Sequence, residues 1–283
     1  MPFVLNGRRP CVSVVFPIYN AAPHLEDCLA SVLNQSGVDL EVICIDDCSG
    51  DRSAEIVGEI AQADPRVRVI RNRVNVGSAV SRNTGIAAAR GDYVQFTDAD
   101  DLLAAGALRI LLDAAAAHGA DAVRGALETL RNGVNQAHPL TRTTGVRVGS
   151  LLTLPQVWVP WFHTCFLISR RLLLERHIVY PDLRRGADPV FLARVLIAAR
   201  RICILPSHAY TYRLHEHGGQ PGAQTARDYL VHVETIKELY CGELARCWDA
   251  YRAFMGEDVA CLLARAALTP AELEELQNRL SRL

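Results

Sequence analysis

Hydrophobic and polar positions alternate with two different periods along the first hundred residues of the chain. Four short runs of β-branched and apolar residues, "VSVVF" (12–16), "EVICI" (41–45), "VRVI" (67–70) and "YVQFT" (93–97), read as strands. Between them the period lengthens to that of a helix. In "PHLEDCLASVLNQ" the residues Leu25, Cys28, Leu29, Val32 and Leu33 share one face, and Pro23 sits where a first helical turn tolerates it. "SGDRSAEIVGEIAQAD" groups Ile56, Val57 and Ile60 behind polar residues able to cap a helix. "SAVSRNTGIAAAR" is alanine-rich and closes at Gly91. Strand and helix therefore alternate with the spacing of βαβ units, which predicts a parallel, doubly wound sheet.

In such sheets ligands sit beyond the carboxyl ends of the strands. Here those ends are polar: "PIYN" (17–20), "DDCSGD" (46–51), "RNRVNVGSAVSRN" (71–83) and "DADD" (98–101). Asp and Ser after a strand are also common helix caps, so each segment alone has a local reading. Four on one edge point to a binding site. The sharpest is "VQFTDADDL" (94–102), where Asp98, Asp100 and Asp101 concentrate a charge that a buried strand end does not hold unaided. Either a cation joins them or they face water. No GxGxxG follows the first strand and no GxxxxGK[ST] occurs, so a glycine cradle for phosphate is missing from the sequence. Carboxylate oxygens suit Mg²⁺ or Mn²⁺, and such an ion would in turn hold a diphosphate.

Charge and cysteine usage exclude several classes. Lysine plus arginine number 30 against 31 acidic residues, a formal net charge of -1, so no global basic field suggests a nucleic-acid partner. Nearly all the positive charge is arginine, which suits bidentate phosphate or carboxylate contacts. The nine cysteines form no CxxC pair, and several lie inside apolar runs, a pattern of a reducing compartment rather than of a disulfide framework or zinc site. No signal-peptide h-region opens the chain, and no uncharged apolar run approaches the ~20 residues that span a bilayer. The expectation is a cytoplasmic protein, soluble or at most peripheral at the inner face of the plasma membrane.

Over residues 11–215 the sequence resembles a family 2 glycosyltransferase of the GT-A fold. "VSVVFPIYN" resembles that family's opening strand and "VICIDDCSGDRS" its Asp-Asp-x-Ser segment. "NVGSAVSRNTGIAAARGDYVQFTDADD" resembles its Asn-x-Gly…Arg-Asn-x-Gly…Asp-x-Asp run. The resemblance implies an inverting transferase that takes a sugar from a nucleotide diphosphate. It assigns the nucleotide to Pro17, Tyr19, Asn20, Asp47, Ser49, Arg82 and Asp98. Tyr19 would flank the base, Asp47 would accept from a uracil imide N–H, and Arg82 would lie by the base or diphosphate. Asp100 would ligate Mn²⁺ or Mg²⁺, with Asp98 beside it, while Asp101 reads more readily as a helix-starting cap.

Glycosyl transfer also needs a general base for the acceptor hydroxyl. "LRRGADPVFLARVL" (183–196) resembles the family's Gly-Glu-Asp-x-x-Phe segment, which puts Asp188 at the base position; Ala187 departs from the family's Glu. The competing reading of Asp188 is a cap for the following helix, and the two roles are compatible. "ICILPSHAYTYRLHEHGG" (202–219) resembles the segment that ends the catalytic domain, placing Arg213 and His215 near the diphosphate or metal. Trp158, Trp161 and His163 of "WVPWFHTCF" are acceptor candidates, with core packing the equal alternative for the indoles.

The resulting expectation is an α/β GT-A fold, Rossmann-like, with a mostly parallel sheet flanked by helices. A catalytic domain spans 1–222 (11–101 for the nucleotide, 102–222 for the acceptor), and a helical extension spans 223–283. In that extension "TPAELEELQNRL" opens with a capping box at Thr269 and Glu272. The tail packs on the domain, pairs two subunits or touches a membrane, with packing the default. The expected activity is metal-dependent transfer from a UDP-sugar to a glycan or lipid-linked acceptor in bacterial surface polysaccharide synthesis. The competing classes are a non-catalytic nucleotide-sugar binder and a sugar-phosphate nucleotidyltransferase. The second would expect a lysine-bearing glycine loop where "PIYNAAPHLED" stands.

Overall fold

The four expected strands form where the apolar runs predicted them: β1 (Val12–Ile18), β2 (Leu40–Asp46), β3 (Val67–Arg71) and β4 (Tyr93–Phe96). The connecting helices are α1 (Ala22–Leu33), α2 (Ser53–Ala63) and α3 (Ser78–Ala88). The computed structural model describes residues 10–214 and 222–282, apart from the side chains of residues 257, 258, 260, 261 and 265. Every residue of β2 is buried, as befits a parallel strand covered on both faces. Leu25, Cys28, Leu29 and Val32 form the buried face of α1. Gly85 lets α3 lie directly on β1, because a Cβ there would collide with Val15.

The second half adds β5 (Leu102–Leu103), α4 (Ala107–His118), β6 (Ala122–Arg131), β7 (Val134–Ala137), β8 (Arg147–Gly149), β9 (Phe166–Ser169), α5 (Arg170–Glu175), α6 (Ala187–Ala198) and β10 (Ile202–Arg213). The sheet runs β3-β2-β1-β4-β9-β6-β10-β5, with β7 on β6 and β8 on β10. β3, β2, β1 and β4 are mutually parallel, as the alternation predicts. β9 is antiparallel to both β4 and β6, so β6 and β10 run the same way as the first four strands. The carboxyl ends of β1, β2, β4 and β10 thus lie along one edge.

Helices α7 (Ala223–Leu239), α8 (Ala245–Arg265) and α9 (Pro270–Leu280) complete the described chain. Leu230, Val233 and Ile236 of α7 and Tyr251 and Met255 of α8 join the same apolar cluster as the sheet, so packing is what the tail does. The capping box is present: Thr269 Oγ1 accepts from the Glu272 N–H at 3.3 Å, and Glu272 Oε2 accepts from the Thr269 N–H at 2.9 Å. Arg279 to Glu234 (2.6 Å) and Arg227 to Glu272 (3.0 Å) pin α9 to α7. Among the described residues no helix is long and apolar enough to cross a membrane, and the eight cysteines whose side chains are described are free thiols.

The opposite edge of the sheet is closed by a buried carboxylate. Glu41, 1% exposed at the start of β2, accepts from Ser13 Oγ (2.7 Å), from the Arg90 backbone N–H and side chain (2.7–2.9 Å) and from Arg68 (3.2 Å). Burial opposes its ionisation, but the bonds from Ser13 and Arg90 outweigh it and hold the carboxyl below its ordinary range. Breaking a fully buried pair costs roughly 3–5 kcal/mol. Arg68 and Arg90 keep about 40% of their side-chain surface in water and resolvate readily, so Glu41→Ala should cost less, about 2 kcal/mol by urea denaturation. A lowered folded-state pKa stabilises above the unfolded value of about 4.5 and that stabilisation is lost as pH falls below it. The stability gap between wild type and Glu41→Gln should therefore narrow from neutral pH to about pH 3. A gap that is constant or widens on acidification would contradict the assignment.

Candidate active site

The turns after β1 and β2 are stitched to each other. Asn20, at φ +50°, accepts from the Gly50 N–H through Oδ1 at 2.8 Å, and its own N–H donates to Ser49 Oγ at 3.2 Å. The next two backbone N–H groups, of Ala21 and Ala22, donate to Ser53 Oγ (2.9 Å) and Asp51 Oδ2 (3.1 Å). Asn and Asp tolerate left-handed backbone and bond to nearby peptides, which is why these residue types build the turn. The expected nucleotide residues Asn20 and Ser49 are therefore brought together, but by bonding to this shared frame. Pro17 lies in β1, and Tyr19 stands at the mouth with half its surface exposed.

Asp47 organises the third segment. Its Oδ1 accepts from Asn72 Nδ2 (2.8 Å) and the Val76 N–H (2.9 Å), and its Oδ2 accepts from the Gly77 N–H (2.8 Å). A carboxylate has about four acceptor directions, so roughly one remains, on Oδ2. Asp47 thus fixes the approach to α3, a role the sequence did not suggest for it.

Arg82, on α3, joins two distant carboxylates. Its Nη2 donates to Asp98 Oδ1 at 2.6 Å and its Nη1 to Asp188 Oδ1 at 2.9 Å. The guanidinium is buried 5.4 Å from the centre of the Tyr180 ring, which stacks on Phe191 of α6 at 3.8 Å. Asn83, the next residue of the "SRNTG" run, accepts from the Tyr180 N–H (2.8 Å) and donates to its carbonyl (2.9 Å). Burial would discharge Arg82, but Asp188 and Asp98 hold it firmly protonated.

Asp188 occupies the first turn of α6 with its side chain 41% exposed. Burial opposes its ionisation, and Arg82, followed by His163 and Arg185, overcomes that and holds the carboxyl below its ordinary range. Its Oδ2 lies 3.7 Å from His163 Nδ1, beyond a hydrogen bond. His163 itself is buried against Phe96 and Tyr180, and burial pushes its pKa down, so it stands as a neutral ring behind Asp188.

The carboxylates after β4 divide by burial. Asp101 is fully buried and caps no helix: it accepts from Tyr210 Oη (2.9 Å) and from the Arg213 N–H (2.7 Å). Tyr210 Oη accepts in turn from the Asp98 N–H at 3.0 Å, and Arg213 Nε donates to the Asp100 carbonyl at 2.9 Å. Burial and then repulsion from Asp98 push the Asp101 pKa up to about 8, with Asp100 adding to it against the bonds from Arg213 and Tyr210. Asp98 and Asp100 remain partly exposed. This carboxylate pair, beside a third acid strained by their field, is a donor set that a hard divalent cation fits. Among the described residues no group of three protein ligands is assembled, so phosphate oxygens and water would fill most of the coordination shell. His215 lies outside the described residues.

Each of the two indoles has a partner within the fold. Trp158 Nε1 donates to the Leu151 carbonyl at 2.8 Å, and Trp161 packs edge-on against Phe254 of α8 at 5.6 Å. Another aromatic group stands nearer the acids: Phe162, at φ +57°, contacts His138 (4.6 Å) and Tyr212 (6.5 Å). Tyr212 is 38% exposed, and after burial the charges of Asp101, Asp100 and Asp98 raise its pKa. Only its place in "YTYR" could have flagged it.

Because Asp47 serves three donors, Asp47→Asn should leave at least one partly buried N–H facing an amide N–H₂. The expected loss is about 1–3 kcal/mol in urea denaturation, with faster hydrogen exchange confined to residues 72–77. Unchanged exchange there would show that the loop is held by something else.

Comparison with known proteins accords with this geometry. The sequence model of Glycosyl transferase family 2 matches residues 13–177, more than half the chain. The glycosyltransferase EpsJ of Bacillus subtilis is 32% identical over 222 residues, and the succinoglycan biosynthesis protein ExoO of Rhizobium meliloti is 31% identical over 224. These alignments cover 72% and 74% of this chain but 61% and 62% of the relatives, so the chain spans under two thirds of their length. In fold it is similar to residues 1–349 of Staphylococcus aureus TarS in complex with UDP-GlcNAc, with a TM-score of 0.78 at 20% identity over 96% of this chain and 80% of that one. A mannosyltransferase of Pyrobaculum calidifontis in complex with GDP-Man and Mn²⁺ gives a TM-score of 0.64 at 22% identity, over 97% and 81%. On the matched residues and the relatives together, the chain belongs to glycosyl transferase family 2.

Proposed function

We propose that the protein is an inverting glycosyltransferase that moves a sugar from a UDP-sugar to a saccharide or lipid-linked saccharide hydroxyl. The observation that carries the reading is the ion-pair bridge Asp98–Arg82–Asp188, which sets an ionised, half-exposed carboxylate beside the acids after β4. The donor lies across the edge formed by β1, β2 and β4, with Tyr19 beside the base and the open direction of Asp47 Oδ2 toward the imide N–H. Asp98 and Asp100 would hold Mn²⁺ or Mg²⁺, which would supply Lewis-acid stabilisation of the departing diphosphate. Asp188 is the base. Its Oδ1 is committed to Arg82, so Oδ2 is the oxygen that takes the acceptor proton, on the face opposite the departing nucleotide. One base and one displacement give inversion. His163, neutral and buried, keeps that face dry without competing for the proton.

The relatives named for polysaccharide biosynthesis support a role in bacterial surface polysaccharide assembly, at the inner face of the plasma membrane. Residues 1–222 serve as the catalytic unit and 223–283 as its extension. A purely nucleotide-sugar-binding role would account for Asp188 Oδ1, which pairs with Arg82, but not for Oδ2, which has His163 Nδ1 no nearer than 3.7 Å.

Two measurements test the reading. Calorimetric titration of UDP should show binding with Mn²⁺ that weakens at least about tenfold in EDTA and in Asp100→Asn. Equal affinity in all three would remove the metal from the account, and preference for GDP over UDP would remove the base assignment. Asp188 caps no helix, since α6 starts after Gly186 without a side-chain cap. Asp188→Asn, isosteric and still able to accept from Arg82 through its amide oxygen, should bind UDP as wild type does while its turnover falls ~10²–10⁴-fold. Turnover within a few-fold of wild type would make Asp188 a structural partner of Arg82 only.

A further inference from the structure

The segment that delivers Asp188 rests on the C-terminal extension. Between Tyr180 and α6 the chain makes a turn at residues 181–186, and α7 holds it at two points. The Arg184 N–H donates to Asp228 Oδ2 at 3.0 Å, while Gln224, one helical turn earlier, donates to Asp228 Oδ1 at 2.7 Å. Asp228 is buried, while the two residues that donate to it keep surface in water. Two residues along the turn, Gly186 takes φ +81° as the residue that starts α6, and a Cβ there would collide with Nδ1 of His232. The imidazole has no room to yield. It is fully buried, stands edge-on to Tyr229 at 4.5 Å, and its Nε2 lies 2.6 Å from Tyr251 Oη of α8. Gly186 is therefore a glycine for two reasons, its left-handed backbone and the ring flush against it.

We propose that Asp228 and His232 are positioning residues for the reaction: through Arg184 and Gly186 they set where the first turn of α6, and so the Asp188 carboxylate, stands relative to Arg82. This rests on the reading of Asp188 as the base. Asp188 is two residues past Gly186 in the same rigid turn, so a shift of the turn moves the carboxylate with it. A misplacement of about 1 Å at a reacting group is worth up to ~10²-fold in rate. The groups facing Asp188 are Arg82, His163 and Arg185, and moving away from Arg82 weakens the attraction that keeps the carboxyl ionised. His232 does not titrate in the working range, because burial lowers its pKa to about 4. The α7–α8 pair is thus a fixed support, and helices outside the matched family segment take part in aligning the site.

The test uses the full-length protein with Mn²⁺ and UDP-GlcNAc or UDP-glucose as donor probe, following UDP release with water as acceptor. Asp228→Ala and Gly186→Ala should lower kcat about tenfold or more, with UDP affinity by calorimetry within about twofold of wild type. The acid limb of kcat/KM should move to higher pH, because that limb reports the base. Asp228→Asn keeps an acceptor for the Arg184 N–H and should restore most of the rate. Adding His232→Ala to Gly186→Ala removes the collision and should recover part of the loss. If a side-chain truncation fails to fold, Tyr251→Phe, which removes only the hydroxyl on Nε2, decides by the same shift of the acid limb, with Asp228→Asn as the control in which the limb stays where it is in wild type. Asp188→Asn runs alongside. If it turns over normally, the base reading fails. If it is slow while the α7 variants keep wild-type kcat and an unmoved acid limb, the positioning role is wrong and the base reading stands.

Discussion

One buried guanidinium ties the site together. Arg82 reaches Asp98, just past the end of β4 and 16 residues further along the chain, and Asp188, in the first turn of α6 and 106 residues further along. A buried arginine without partners is prohibitively costly, so two carboxylates must come to it. That requirement closes the loop between the strand edge and the segment before α6. Asn83 reinforces it by clamping the backbone of Tyr180, whose ring lies beside the guanidinium. The consecutive Arg and Asn of α3 thus grip the same distant segment, one by charge and one by peptide bonds.

The two ends of the sheet use acids differently. At the amino end of β2 Glu41 is surrounded by donors and contributes stability. At the carboxyl ends the acids outnumber their compensating charges, and Asp101 shows the strain by resisting ionisation. Unbalanced negative field at one edge is a cost to the fold, and the proposed cation and diphosphate positions rest on it.

The sequence made the skeleton readable and left its long-range ties hidden. Strand runs, the apolar face of α1 and the Thr269–Glu272 box depend on neighbours within a few residues, and all appear where expected. The parallel half of the sheet followed from the spacing of the β-rich runs. Asp101 reads in "DADD" as a helix-starting cap, and that reading fails because its partners are Tyr210 and Arg213, more than a hundred residues away. Trp158 and Trp161 were conspicuous by size, but their surroundings in α8 and at Leu151 decide their role. Asp47 drew notice as a ligand group, and its three internal bonds were invisible because its donors are mostly backbone N–H groups.

The account's central claim is that Arg82 and Asp188 act as one unit. A double-mutant cycle on UDP release, with Arg82→Gln, Asp188→Asn and the pair, tests it most directly, since residues acting together give non-additive losses. The account predicts that the double variant is about as slow as Asp188→Asn alone. Losses that multiply across the two sites would mean that Arg82 and Asp188 work independently, and would contradict it.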